Sequence, residues 1–215
     1  MATTILHPEE QQLLNILRQK IGTGELPGPA AQHTMAPPVR GGYAEPPADA
    51  RRASVLALLY PIAGHLHLLY IQRTSPKRDR HAGQISFPGG SVEGADKDAV
   101  ATALRETEEE VGIPREEIEI FGTLTQLYIP VSNFLVDPIV GFLPQRPSFV
   151  LQESEVARTL ELPLSDFLTA TARQVGTRKL VNGMSLPNVP FWAIGGEEVW
   201  GATSMMTAEL IALLP

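Results

Sequence analysis

Three glutamates stand near the middle of this 215-residue chain at a spacing that could gather their carboxylates. They are Glu106, Glu109 and Glu110, and a helix over this stretch would place all three on one face. Arg105 lies four residues before Glu109 and can pair with it. Oxygen ligands of this kind suit hard cations such as Mg²⁺ or Mn²⁺. The alternative is a solvated acidic face, which costs a helix only about 0.2–0.5 kcal/mol per like-charged pair.

The residues before these glutamates favour a functional interpretation. The tight turn Phe87-Pro88-Gly89-Gly90 would let backbone amides or carbonyls approach a bound ion closely. The basic segment RTSPKRDRHAGQ precedes this turn and sets cations beside the acidic helix. Mg²⁺ is commonly shared between carboxylates and substrate phosphates, where it neutralises charge and positions a water. The residues themselves therefore predict metal-assisted hydrolysis of a phosphoanhydride.

The elements that must position this site read as a mixed sheet flanked by helices. The central helix spans about 97–111, with Val100, Leu104, Thr107 and Val111 on its core face and the three glutamates on the far side. Apolar runs predict a hairpin over 54–72, strands over 119–129 and 134–143, a second hairpin over 189–200 and a closing helix over 203–214. Pro138 predicts a sheet edge or a bulge. His65 and His67 share one strand face, which is more often solvated than metal-binding.

The N-terminal part of the chain predicts an added element. Residues 8–21 form an amphipathic helix by their apolar spacing, which either caps the domain or builds a homodimer. Residues 22–47 are rich in Gly, Pro and Ala and read as an irregular connector. The predicted division is therefore a helix and connector over 1–50 and one catalytic domain over 51–215.

Bulk composition limits the classes of function. The formal net charge of −7 argues against nucleic-acid binding, which usually shows a basic footprint. The absence of cysteine excludes disulfides and thiolate metal sites. The N-terminal MATTILHPEEQQLL lacks the basic segment and apolar run of a signal peptide. No apolar stretch reaches the roughly 20 residues that a membrane-spanning helix needs. We therefore expect a cytoplasmic protein with a small-molecule substrate.

The central stretch also resembles the signature of the Nudix hydrolase family, G-x5-E-x7-R-E-U-x-E-E-x-G-U, in which U is apolar. Residues 105–113, RETEEEVGI, match its second half with Thr107 in place of an apolar residue, and Gly90 matches the opening glycine. Asp96 occupies the first glutamate position, and one extra residue separates it from Arg105. The resemblance implies an α+β fold, a Nudix-type α/β/α sandwich with a mixed β-sheet, to which the N-terminal helix is added.

The resemblance also implies roles for the matching residues. The catalytic set comprises Arg105, which orients the glutamates, and the ligands of Mg²⁺ or Mn²⁺, Glu106, Glu109 and Glu110. One of these glutamates helps to deprotonate the attacking water, and the carbonyl of Gly89 is a further ligand. An additional acidic ligand from outside the signature is common in the family, and Glu153 and Glu155 are the candidates, with Glu155 favoured.

The run before the signature is similar to that of the branch that hydrolyses coenzyme A, LLTxRSxxLRxxxGxxxFPGG. The matching positions are Leu69, Arg73, Arg78, Gly83, Phe87, Pro88, Gly89 and Gly90. Thr74 replaces the serine, Lys77 replaces a leucine, and one extra residue lies between Arg78 and Gly83. This similarity implies hydrolysis of coenzyme A, with substrate contacts from Arg73, Arg78, Gly83 and Phe87. The alternatives are hydrolysis of ADP-ribose, a dinucleotide or an oxidised nucleotide, or a non-catalytic sensor or interaction module.

Overall fold

The computed structural model describes residues 5–38, 45–74, 83–179 and 183–215. Four helices are α1 Pro8–Thr23, α2 Pro29–His33, α3 Ala99–Val111 and α4 Gly201–Ile211. The strands are β1 Arg51–Ile62, β2 His65–Arg73, β3 Ile85–Ser86, β4 Gly89–Ser91, β5 Glu119–Thr123, β6 Leu127–Ile129, β7 Phe134–Phe142, β8 Val156–Pro163, β9 Arg173–Lys179, β10 Ser185–Ile194 and β11 Glu197–Trp200. Within these four ranges, no helix is both long enough and apolar enough to cross a bilayer.

Eight of the strands form one mixed sheet, as the sequence predicts. Its central order is β3-β2-β1-β7-β5, with β4, β6 and β8 pairing with β1, β7 and β2. The β1–β2 hairpin is antiparallel, whereas β1 and β7 run parallel from the Arg51–Phe134 pair to the Leu59–Phe142 pair. The remaining strands form a small antiparallel sheet in the order β11-β10-β9.

Helices cover both faces of the main sheet, which confirms the α/β/α sandwich. Leu56, Leu58 and Tyr60 of β1 belong to a core shared with α3. The alternating residues Ala57 and Leu59 belong to the core on the other face, which is shared with α1 and α4. Because both faces of β1 are buried, its sequence is a continuous apolar run instead of an apolar–polar alternation.

The apolar face of α1 is buried within the chain's own core. Leu14, Leu17 and Ile21 are at most 4% exposed and pack in the same cluster as residues of β1 and α4. The Arg18 guanidinium donates two hydrogen bonds to the Glu119 carboxylate, at 2.8 and 3.1 Å. This face of α1 therefore caps the sheet and is not free to form a homodimer.

The N-terminal connector also contains structure that the sequence did not predict. The short helix α2 packs beside α4, where Gln32 Nε2 donates to the buried carboxylate of Glu209 at 2.8 Å. The Glu209 carboxylate accepts two further hydrogen bonds, from the backbone N–H groups of Gly28 and Thr125, each at 3.2 Å. This buried carboxylate therefore fastens the connector to the core.

Three details of the predicted strands were wrong. The strand expected over 119–129 is two strands, β5 and β6, with a break between them. Pro138 lies in β7 between β1 and β5, and not at an edge. Pro138 lies opposite the break between β5 and β6, since β5 pairs with β7 up to Ile139 and β6 pairs with β7 from Val136. Its missing N–H is tolerated because no paired strand residue stands opposite it on that side. Strand β9 was not predicted, because its sequence RQVGTRK lacks an apolar alternation.

The paired histidines on β2 hold structural contacts. His65 Nδ1 lies 3.2 Å from the buried Glu10 carboxylate of α1, and His67 Nδ1 lies 3.0 Å from the His65 carbonyl oxygen. Both rings therefore have protein partners, and the His65 side chain is 54% exposed.

Candidate functional site

Helix α3 is fixed at both ends, so that its glutamates face β4. The Asp98 side chain accepts a hydrogen bond from the Ala101 N–H at 2.8 Å and so caps the first turn. The helix ends at Gly112, whose φ of +72° is the left-handed conformation that glycine adopts without strain. Between these ends, Ala103 and Val111 are buried against the sheet. The spacing of the signature then brings its carboxylates to Gly89 and Gly90, which lie in strand β4 paired with β1 and not in the tight turn that the sequence predicted.

Each glycine of the Gly89-Gly90 pair is required by a close approach. A Cβ on Gly89 would lie 2.3 Å from the carbonyl oxygen of Ser54 in the neighbouring β1 strand. A Cβ on Gly90 would lie 2.4 Å from the carboxyl carbon of Glu106. The Gly89 N–H also donates to Glu110 Oε2 at 2.8 Å. The two glycines therefore let α3 approach the sheet closely enough for its glutamates to contact backbone.

The three glutamates line one cavity, but their exposures differ, which argues against the alternative of a uniformly solvated acidic face. Glu110 is only 2% exposed, whereas the side chain of Glu109 is 57% exposed. Burial raises the pKa of the Glu110 carboxyl to about 8, against the opposing influence of the Gly89 N–H and Arg73. Arg73 contributes a guanidinium nitrogen 3.8 Å from Glu110 Oε1. Burial also raises the pKa of the Glu106 carboxyl.

Arg105 is the centre of the hydrogen-bond network in the site. Its Nη1 donates to Glu106 at 2.9 Å and to Glu109 at 3.2 Å. Its Nε and Nη2 donate to the two carboxylate oxygens of Asp96, each at 3.0 Å. Its Nη2 also donates to the Ser91 carbonyl oxygen at 3.1 Å. This arrangement fits the orienting role that the family resemblance implies for Arg105.

Asp96 is the side chain whose role the sequence left undefined. Its Oδ2 also accepts from the Thr102 hydroxyl and from the Glu93 N–H, both at 2.9 Å. The hydrogen bonds from Arg105 hold the pKa of the Asp96 carboxyl well below its usual range. Asp96 therefore orients Arg105 in this structure, and the extra residue before Arg105 is accommodated without loss of this pairing.

An open cavity of about 440 Å³ lies over the glutamates. Its lining combines the signature residues with two side chains of the segment before β8, and it comprises Arg73, Gly89, Gly90, Ser91, Glu93, Arg105, Glu106, Glu109, Glu110, Gln152 and Glu155. Glu155 lines the cavity and Glu153 does not, so the geometry separates the two acidic candidates. Gln152 was not predicted, because nothing in its local sequence distinguishes it from a solvated residue.

The donor set fits a hard divalent cation in its chemistry. Five carboxylates line one cavity, and two of them, Glu106 and Glu110, have raised pKa values because burial leaves their charge poorly compensated. Within the described ranges, no three acidic or histidine side chains already stand together as metal ligands. The reason is visible in the network, since the Glu106 and Glu109 carboxylates accept hydrogen bonds from Arg105.

The predicted substrate-binding residues differ in their position relative to the cavity. Arg73 lines the cavity, as expected of a residue that contacts a phosphate. Phe87 does not, because it is 2% exposed and stacks on Tyr70 in the core with ring centroids 4.7 Å apart. Gly83 also lies outside the cavity lining, and its carbonyl oxygen accepts from Gln72 Nε2 at 3.1 Å. Arg78 lies outside the described residues.

A family model and several known proteins match this chain. The NUDIX domain family matches residues 50–170, which is more than half of the chain. The chain is 37% identical over 163 residues to the mitochondrial coenzyme A diphosphatase NUDT8 of Homo sapiens, covering 75% of this chain and 69% of that protein. It is 42% identical over 114 residues to the uncharacterized Nudix hydrolase NudL of Citrobacter koseri, covering 52% of this chain and 58% of that protein.

A solved structure supports the fold independently. The MutT/nudix family protein from Enterococcus faecalis aligns with 95% of this chain and 73% of its own, with a TM-score of 0.52 at 15% identity. At that identity the likeness concerns the fold alone. Taken with the match over 50–170 and the glutamate-bearing helix at its centre, these comparisons show that the chain belongs to the Nudix hydrolase family, near its coenzyme A diphosphatase-like branch.

Proposed function

We propose that this protein hydrolyses the diphosphate of a nucleoside diphosphate derivative with the help of Mg²⁺ or Mn²⁺, and that its substrate is coenzyme A. Water attacks one phosphorus of the diphosphate, and the bond from that phosphorus to the bridging oxygen breaks. The products are 3′,5′-ADP and 4′-phosphopantetheine, each with one new terminal phosphate, and two protons are released when both new phosphates are fully ionised.

The residues that line the cavity have different roles in this reaction. A bound divalent cation supplies charge neutralisation for the diphosphate and a lower pKa for a bound water. Glu106, Glu109 and Glu110 provide its carboxylate ligands, and Glu155 adds an acidic group from the segment before β8. Arg105 holds Glu106 and Glu109 by Nη1 hydrogen bonds of 2.9 and 3.2 Å. The proton of the attacking water passes to a carboxylate of this cavity.

Arg73 supports the choice of a diphosphate substrate. Its guanidinium lines the cavity 3.8 Å from the Glu110 carboxylate, so that this cation and several carboxylates face the same space. Phosphate oxygens can contact such a guanidinium while they share a metal with the carboxylates. A substrate without a phosphoanhydride would leave this pairing of charges unused.

A single observation carries the choice of coenzyme A. The identity of 37% to the human coenzyme A diphosphatase extends over 163 residues, well beyond the signature itself. Within that length, the run from Leu69 to Gly90 keeps the arginine and glycine spacing of the coenzyme A branch with one extra residue. The signature defines the reaction, and the run before it supports the substrate.

Product analysis across a panel of diphosphates tests this proposal. Coenzyme A, acetyl-coenzyme A, ADP-ribose, diadenosine tetraphosphate and 8-oxo-dGTP would each be incubated with Mg²⁺ and with Mn²⁺. We expect 3′,5′-ADP from coenzyme A and a kcat/KM at least tenfold above that for ADP-ribose. Faster turnover of ADP-ribose would replace the proposed substrate, and no turnover of any diphosphate would refute the proposed reaction.

Adjacent glutamates of α3 provide a matched pair of variants. Glu109→Gln removes a cavity carboxylate and should lower kcat by at least a hundredfold. Glu108→Gln is the control, because Glu108 does not line the cavity and accepts a hydrogen bond from Arg115 Nε at 2.6 Å. The control should retain near-normal turnover. Equal losses in the two variants would show that the helix tolerates neither change and that Glu109 has no special role.

A further inference from the structure

The segment that carries Glu155 is attached to the end of α3. The Val150 N–H donates to the Val111 carbonyl oxygen, and the Gln152 N–H donates to the Glu110 carbonyl oxygen, each at 3.0 Å. These carbonyls belong to the last turn of the helix. Carbonyl groups in the last turn have no N–H partner within the helix itself. The segment 150–152 is thus fixed to the same turn that presents Glu110.

The chain then turns tightly and brings Glu155 back over the cavity. The Glu155 and Val156 N–H groups both donate to the Gln152 carbonyl oxygen, at 2.9 Å. Within the described residues, the Glu155 carboxylate accepts no hydrogen bond, and the residue is exposed. The position of this carboxylate therefore depends on how its backbone is held.

One residue holds that backbone from the opposite side. The Thr74 N–H donates to the Glu155 carbonyl oxygen, and Thr74 Oγ1 donates to the Ser154 carbonyl oxygen, both at 2.8 Å. Thr74 directly follows Arg73, the cation that faces Glu110. Arg73 is the last residue of β2 and Thr74 follows it. These two consecutive residues therefore contact the Glu110 carboxylate and the Glu155 backbone, respectively.

We propose that Thr74 is a positioning residue that sets the place of the Glu155 carboxylate in the metal- and phosphate-binding cavity. Thr74 stands where the coenzyme A run has serine, and both residues carry the hydroxyl that makes the contact with Ser154. In this structure the Thr74 hydroxyl donates to a backbone carbonyl of the protein itself. This inference rests on the proposed function, because it gives Glu155 a part in binding the cation.

A double-mutant cycle between Thr74→Val and Glu155→Gln tests the proposal, with two readouts. One is Mn²⁺ affinity, measured by electron paramagnetic resonance of the free ion, and the other is kcat/KM on coenzyme A. Valine keeps the shape of threonine but loses the hydroxyl. The loss of one hydrogen bond should weaken each quantity by about 2- to 10-fold. In the Glu155→Gln background, the same Thr74→Val change should have no further effect.

Two additional variants separate positioning from general destabilisation. Thr74→Ser keeps the hydroxyl and should restore both quantities to within about twofold of the wild-type protein. Thr169→Val removes a comparable exposed hydrogen bond, since Thr169 Oγ1 donates to the Asp166 carbonyl oxygen at 2.8 Å. It should leave Mn²⁺ affinity and turnover unchanged.

Two results would overturn the proposal. One is an equal effect of Thr74→Val with glutamate or glutamine at position 155, and the other is an unchanged Mn²⁺ affinity and turnover in Glu155→Gln alone. Failure of the proposed function would look different. A wild-type protein without activity on any diphosphate would refute the reaction, whereas the Mn²⁺ arm of the cycle would still report on Thr74.

Discussion

Replacing Glu110 with glutamine should make the metal-free protein more stable and at the same time inactive. Glutamine has nearly the shape of glutamate and keeps an oxygen to accept the Gly89 N–H, which lies 2.8 Å from Oε2. It removes the charge that burial disfavours at this position, where the residue is 2% exposed. Stability and activity should therefore change in opposite directions, as they do where a functional group is held in an unfavourable environment.

The magnitude follows from the pKa of the Glu110 carboxyl. Burial raises it from its ordinary value of 4.5 to about 8. Between these values the folded protein holds a proton that the unfolded chain has released, so the free energy of unfolding falls as pH rises. At about 1.4 kcal/mol per pH unit, this loss reaches about 3 kcal/mol at pH 7. Glutamine does not titrate, so the variant should be more stable by about 2–3 kcal/mol at neutral pH.

Urea unfolding in EDTA from pH 5 to pH 8.5 would measure this difference. The wild-type and Glu110→Gln proteins should differ little at pH 5 and most at pH 8. Saturating Mg²⁺ or Mn²⁺ should raise the stability of the wild-type protein and reduce the gap, because a cation that binds only the folded state stabilises it. Glu109→Gln serves as the control, since a side chain that is 57% exposed should change stability by less than about 0.5 kcal/mol.

Two results of this experiment would refute an electrostatic cost of burying the Glu110 carboxylate. If the unfolding free energies of the two proteins run parallel from pH 5 to pH 8.5 in EDTA, the buried carboxylate carries no uncompensated cost. A Glu110→Gln protein that is less stable than the wild type at pH 8 would lead to the same conclusion. In either case, burial of Glu110 would give no electrostatic reason for this site to bind a cation.

Further substitutions test the other contacts. Gly90→Ala should lower kcat/KM at least tenfold with little loss of folding, because the new Cβ displaces the Glu106 carboxylate; Gly94→Ala, whose Cβ would meet nothing within 4 Å, should be neutral in the same assay. Asp96→Asn should weaken Mn²⁺ affinity and turnover about tenfold, and unchanged values would show that Asp96 does not orient the arginine beside it. Glu209→Gln should cost about 1–3 kcal/mol in urea unfolding because one buried donor loses its acceptor, while the folded protein keeps its kcat.

Local patterns were enough to predict the helix that carries the chemistry. The i, i+3 and i+4 spacing of Glu106, Glu109 and Glu110 acts within a few residues, and the structure adds a cap at Asp98 and an end at Gly112. The same patterns did not predict how differently the three carboxylates are buried. Exposure depends on β4 and the end of β2, which reach the helix from other parts of the fold.

Features that depend on distant contacts were harder to predict. Phe87 lies in a run that implied substrate contact, but the stack on Tyr70 draws it into the core. Glu155 could be chosen over Glu153 only weakly, because its place over the cavity depends on backbone bonds to Thr74 and through Gln152 to the end of α3. The parallel pairing of β1 with β7 likewise leaves no local trace in either strand.

The core described above extends beyond the region that matches the NUDIX domain family. The matched region is 50–170. Five buried side chains outside it are at most 1% exposed, namely Leu14, Leu17 and Met35 before it and Met205 and Leu210 after it. Each such side chain contributes about 1.5–3 kcal/mol, and a whole domain has a net stability of only about 5–15 kcal/mol. The matched domain is therefore smaller than the unit that folds. A fragment cut at residues 50 and 170 would keep every glutamate of the signature and lose part of the core that supports them.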